Sequence, residues 1–254
     1  MLDMNKNLYI YFIFSSMATS VRLTGSDEDR TRFSRLILVI IDELTQILQD
    51  LLLNEIPSTQ IYNKALPHIK NLQCKQILII RNASKQGYKD FDITLLYTLL
   101  RNICQKIAPP SQNWGVSNMP SQTEITVGDD IERIRIIRNN VCGHIPEAAI
   151  PETEFKEYWS IISGICGRMQ TLLNKDYVQR LQDAKECSID ADTENKYTEL
   201  FKRLADEEKT TRDLIQSKLT GKTYDQTLQK YMGFTAWRKH PLGELFIHNT
   251  SYIF

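Results

Sequence analysis

From Phe33 to Leu52 the apolar residues recur at helical spacing: Phe33, Leu36, Ile37, Ile40, Ile41, Leu44, Ile47, Leu48, Leu51 and Leu52. An i, i+3, i+4 pattern sustained over that length belongs to a long helix with one face turned to a core. Ser26 followed by Asp27, Glu28 and Asp29 supplies a capping hydroxyl and acids for the positive end of the helix dipole. Pro57, which lacks an amide hydrogen and clashes with the preceding turn, stops it. Glycine and proline are sparse and alternating Val/Thr-rich runs are nearly absent, so the chain reads as all-α, a bundle of six or seven helices.

The remaining helices follow the same signal. A second is predicted over about 66–82, on Ile69, Leu72, Ile77 and Ile80, followed by a polar loop, Asn82–Asp90. A third starts near Asp92 and carries Ile93, Leu96, Leu99, Leu100 and Ile103, with Pro109 and Pro110 beyond it. Residues 109–128, rich in Pro, Ser, Gln, Asn and Gly, form the longest internal loop, and loops of this length are often functional or disordered. Trp114 within it is read as a plug that pins the loop, against the alternative of a base-stacking platform. Further helices are predicted over 129–144, 152–174, 176–187 and 193–219, the last highly charged with a thin apolar seam. Three segments result: an N-terminal extension over 1–20, a helical domain over 21–219, and a tail of unassigned role over 220–254.

Lysine plus arginine equals aspartate plus glutamate, 31 of each, so no global field draws this chain to nucleic acid. Contact with RNA would come from a local patch and weaken steeply with salt. The five cysteines are widely spaced, with no CxxC pair, which excludes a disulfide framework and a zinc site and fits a reducing, cytoplasmic setting. No metal and no cofactor is expected. The apolar run Leu8–Phe14 is far short of the roughly 20 residues that span a bilayer. It reads as an unstructured extension or as the core of a short signal peptide; the poor basic flank favours the first, and no membrane attachment is expected.

Chemistry concentrates in Asp129–His144. Ile131, Ile134, Ile137 and Val141 form a stripe, and Arg138 projects among them rather than toward solvent. A guanidinium is permanently charged, so one held there needs a counter-charge, a phosphate or a polar cleft; Asp92 and Glu154 are candidate counter-charges. Asn139 adjoins it, and His144 follows Gly143, which is expected to end the helix. The acids Asp129, Asp130 and Glu132 oppose Arg133, Arg135 and Arg138 in sign. Arginine, amide and imidazole together suit a phosphodiester: a fork for two phosphate oxygens and a base that titrates near neutrality.

The segments Phe91–Cys104, Asp130–His144 and Phe155–Trp159 resemble a HEPN-type domain, of the kind found in DAZ-interacting zinc-finger ubiquitin ligases and in invertebrate multidomain proteins. The resemblance covers about 30–217 and is most specific at Arg101-Asn102 and Arg138-Asn139. It implies a helical bundle that homodimerises, joining Arg-x(4–6)-His elements of two copies in one cleft that cuts RNA without metal in active members. Arg138 would then stabilise the phosphorane, His144 would act as general base or acid on the ribose 2′-hydroxyl, and Asn139 would orient one of them. The other reading that the resemblance implies is a non-catalytic dimerisation or scaffold module with protein partners in ubiquitin or innate-immune signalling. Cys142 stands where an aromatic is expected in this subgroup. Without RING ligands the chain is not expected to transfer ubiquitin itself.

Two further features are assigned structural roles. Arg101 and Asn102 are expected to knit the third helix to the Arg138 helix through hydrogen bonds, and Cys74, Cys104 and Cys166 to lie in the core. Thr220–Thr223 echoes a phosphate loop but lacks its first glycine and the preceding strand.

Overall fold

The computed structural model describes residues 26–144, 148–188 and 197. Among them there are helices and no strand, in seven rods, as the periodicity predicts. The first, α1, runs Asp27–Leu38 as α-helix, Val39–Leu44 as π-helix and Thr45–Glu55 as α-helix. α2 is Ile61–Ala65 continued by the 3-10 turn Leu66–Asn71; α3 is Cys74–Gln86, α4 Ile93–Ile103, α5 Val127–His144, α6 Glu152–Leu173 and α7 Tyr177–Glu186. The expectations over 1–20, 220–254 and most of 193–219 lie outside the described residues.

Local chemistry sets most boundaries. Ser26 Oγ accepts from the Asp29 amide at 3.1 Å while the Asp29 carboxylate accepts in return from the Ser26 amide at 3.3 Å, a reciprocal cap. Ile56 adopts φ −140°, ψ 120°, the extended geometry forced on a residue before proline, and α1 ends there. Within α1 the π turn widens the helix, and the Thr45 hydroxyl donates to the Ile40 carbonyl at 3.1 Å. Ile41, placed on the apolar stripe by periodicity, is half-buried, while Ile40, Leu44, Ile47 and Leu48 are sealed. α1 is the central rod: α4, α5, α6 and α7 all pack on it.

The second predicted helix is divided. Leu72 and Gln73 are extended, and Gln73 starts a new helix through a cap in which its amide donates to Gln76 Oε1 at 3.0 Å. The helix then continues through Asn82–Gln86, predicted as loop, and stops at Gly87, whose φ of +67° suits a residue without Cβ. Polarity at 82–86 marks a solvent-facing last turn, not a break. α6 ends at Asn174 in the left-handed conformation, φ 51°, and α7 is held to α1 by two pairs. Tyr177 donates to the buried Asp50 at 2.7 Å, and Arg180 Nε lies 2.9 Å from Glu43 Oε2. No helix of the described residues is long and apolar enough to cross a membrane.

Candidate functional site

α5 begins at a cap that the sequence reading passed over. Thr126 and Asp129 exchange hydrogen bonds, Asp129 amide to Thr126 Oγ1 at 3.1 Å and Thr126 amide to Asp129 Oδ2 at 2.8 Å. Asp129 also accepts from the Ser111 amide and hydroxyl at 2.7 and 2.8 Å. Burial acts to raise its pKa, but the bonds from Ser111 and Thr126 outweigh it and hold the carboxyl below the usual range. Immediately before it, Gly128 leaves no room for a side chain: an added Cβ would lie 2.3 Å from Pro110 N and 2.5 Å from the Pro109 carbonyl carbon.

The next turn is equally committed. Asp130, 1% exposed, accepts from Arg133 Nη1 at 2.8 Å and from Arg168 of α6 on both oxygens. Arg133 Nη2 reaches the carbonyls of Ser121 and Glu124 at 2.6 and 2.5 Å. Glu132, fully buried, accepts from Tyr97 Oη at 2.7 Å, the Gly115 amide at 2.8 Å and Arg135 Nε at 2.8 Å. The Arg135 guanidinium also bonds the Val116 carbonyl and lies 5.5 Å from the Tyr97 ring centre. The charges read as cancelling in sequence are therefore a buried network that fastens residues 109–126 to α5. Their i, i+3 spacing was the available signal.

The C-terminal half of α5 carries the predicted site. Ile131, Ile134, Ile137 and Val141 are each 0% exposed, and Arg138 among them is 9% exposed. Arg138 Nη1 donates to the Asn139 amide oxygen at 3.1 Å, so the two candidate residues meet. The helix runs through Gly143 to His144 and does not end at the glycine; glycine is tolerated inside a helix at a cost of about 1 kcal/mol relative to alanine. Positions 138 and 144 therefore lie about 120° apart around one straight axis. The His144 side chain lies outside the described residues.

Asn140, not singled out in the sequence, and Cys142 adjoin this end. Asn140 hydrogen-bonds the Tyr158 phenol of α6, whose pKa is raised chiefly by burial. Cys142 is 3% exposed. Arg101 and Asn102 are exposed, contrary to the expected knitting role; Tyr97, one turn earlier, makes that link instead. Cys104 and Cys166 are buried as expected, while Cys74 opens α3 and is half-buried. A shallow groove of about 330 Å³ lies beside Asp130, Arg168, Met169 and Leu172, at the opposite end of α5 from Arg138. Among the described residues no cluster of His, Cys, Asp or Glu could hold a metal ion.

A family model described as DZIP3/hRUL138-like HEPN matches residues 45–197, more than half of the 254-residue chain. No curated protein and no solved structure matches it.

Proposed function

Because the chain belongs to the DZIP3/hRUL138-like HEPN family, we propose that it is a dimeric RNA-binding module. Its Arg138–Asn139–His144 cleft would cleave single-stranded RNA without metal. The observation that carries this reading is the division of α5. Its N-terminal charges are tied into the fold, and its other end brings Arg138 to the amide of Asn139, so that two of the three candidate residues meet. The amide oxygen orients the guanidinium, whose planar fork matches two oxygens of a phosphate and can stabilise the charge that develops on it.

The uninterrupted helix supports the involvement of a second copy. With positions 138 and 144 about 120° apart on one rod, an arginine and a histidine meet at one phosphate when two copies each contribute. His144 takes the proton from the ribose 2′-hydroxyl, and that oxygen attacks the adjacent phosphorus. The 5′-oxygen leaves with the proton that the His144 imidazolium returns as general acid, and a 2′,3′-cyclic phosphate remains. Arg138 balances the charge of the five-coordinate state. RNA, not DNA, is the substrate because the nucleophile is the 2′-hydroxyl. A cytoplasmic site of action accords with the five free cysteines.

Low exposure of Arg138, 9%, favours a second reading, a non-catalytic dimerisation module with signalling partners in which this end of α5 serves packing. One assay separates the two. Mixed single-stranded RNA is incubated with wild type and with His144→Ala in EDTA, at concentrations that form dimers. Cleavage by wild type alone, with cyclic-phosphate ends, is the expected result; intact RNA throughout leaves the scaffold reading.

A further inference from the structure

Residues 93–123 contain no aspartate or glutamate but include Arg101, Lys106, Tyr97 and Trp114. In a chain with zero net charge this is a local exception, and the fold gathers part of it on one face. Trp114 meets Tyr97 edge to face, ring centres 6.0 Å apart, and Arg135 lies over the Tyr97 ring. Arg101 Nη1 comes within 3.7 Å of where a Cβ on Gly115 would stand. Arg101 is exposed and Trp114 half-exposed, so a guanidinium and an indole are offered to solvent side by side.

What holds them is buried. Glu132 accepts from the Gly115 amide and from Tyr97, so the Trp114-Gly115 corner, with Gly115 at φ +82°, is fixed from below. The acid itself is fully buried and ion-paired with Arg135, and presents no negative charge to a ligand. A ring already ordered loses little side-chain freedom when something stacks on it. Arg135 and Arg138 are three residues apart, one turn along α5, so this face is continuous with the proposed cleft.

We infer that the Arg101–Trp114 face is a subsite for single-stranded RNA, where one base stacks on the Trp114 indole and Arg101 contacts the neighbouring phosphate. It rests on the proposed RNA reading and extends it by assigning where the strand lies beyond the scissile phosphate. Stacking on an aromatic face accepts any base, so the subsite confers grip rather than sequence choice.

The test is the affinity of the full chain for a short, fluorescently labelled, 2′-O-methylated oligouridine, which binds but cannot be cut. Wild type is compared with Trp114→Ala, Trp114→Phe and Arg101→Ala, each checked for native melting. Trp114→Ala should weaken binding at least about fivefold and Trp114→Phe should recover most of it. Arg101→Ala should also lower the slope of log affinity against log salt by about 0.7, the value for one phosphate contact on a single strand. Should Trp114→Ala fail to fold, Trp114→Phe and Arg101→Ala still decide. Wild-type binding that Arg101→Ala and the folded Trp114 variants leave unchanged overturns the subsite and spares the RNA reading. No binding by wild type removes both.

Discussion

Arg168 grips Asp130 with two prongs, Nε to Oδ2 at 2.8 Å and Nη2 to Oδ1 at 2.6 Å, and so ties α6 to α5. Arg133 adds a third bond to the same carboxylate from within α5, and both Asp130 and Arg133 are almost fully buried. Removing the acid leaves a buried cation without its counter-charge, a loss of about 3–5 kcal/mol for pairs of this kind. Asp130→Ala should lower the urea midpoint accordingly. By contrast Lys156→Ala, which removes an exposed pair with Glu152, should change stability by no more than about 1 kcal/mol.

Gly128→Ala places a methyl group against backbone rather than against a side chain that can swing away. Overpacking of this sort costs about 1–3 kcal/mol and sometimes more. A thermal melt should show a clear drop for Gly128→Ala, whereas Gly167→Ala, whose Cβ would meet nothing within 4 Å, should melt near wild type.

Asp129 gives the fold a dependence on acid. Its folded pKa lies below the ordinary aspartate value of 3.8. A depressed carboxyl contributes stability that is fully present above the unfolded value and is lost as pH falls through the folded one. Denaturation midpoints measured from pH 7 downward should therefore fall below about pH 4 in wild type. Asp129→Asn should be less stable at pH 7, and the gap between the two proteins should narrow below that point.

The thiols should divide by burial. Burial pushes the Cys104 and Cys166 thiols up to about 12, so neither forms thiolate at neutral pH. Alkylation of the native protein followed by peptide mass spectrometry should label half-buried Cys74 and Cys187 first. Cys104 and Cys166 should react only on unfolding.

Much of the architecture was legible from apolar spacing, because a helix that buries one face must repeat near 3.6 residues. α1, α4, α6 and α7 start close to where their caps and stripes predict. The π turn at Val39–Leu44 was not legible, since the apolar stripe runs through it without a break. The split between α2 and α3 rests on a Gln73–Gln76 cap, a weaker signal than serine or aspartate. At the site, the seclusion of Arg138 followed from the isoleucine stripe. The buried acids did not, because a helix sealed on its polar side as well looks amphipathic until its partners at Ser111, Gly115 and Arg168 are known.

In the proposed reading α5 fastens the fold at one end and would handle phosphate at the other. Arg138→Ala, followed in parallel for melting temperature and for cleavage of single-stranded RNA, tests that most directly. The predicted result is a native-like fold with cleavage abolished. RNA cleavage that proceeds at the wild-type rate would contradict it.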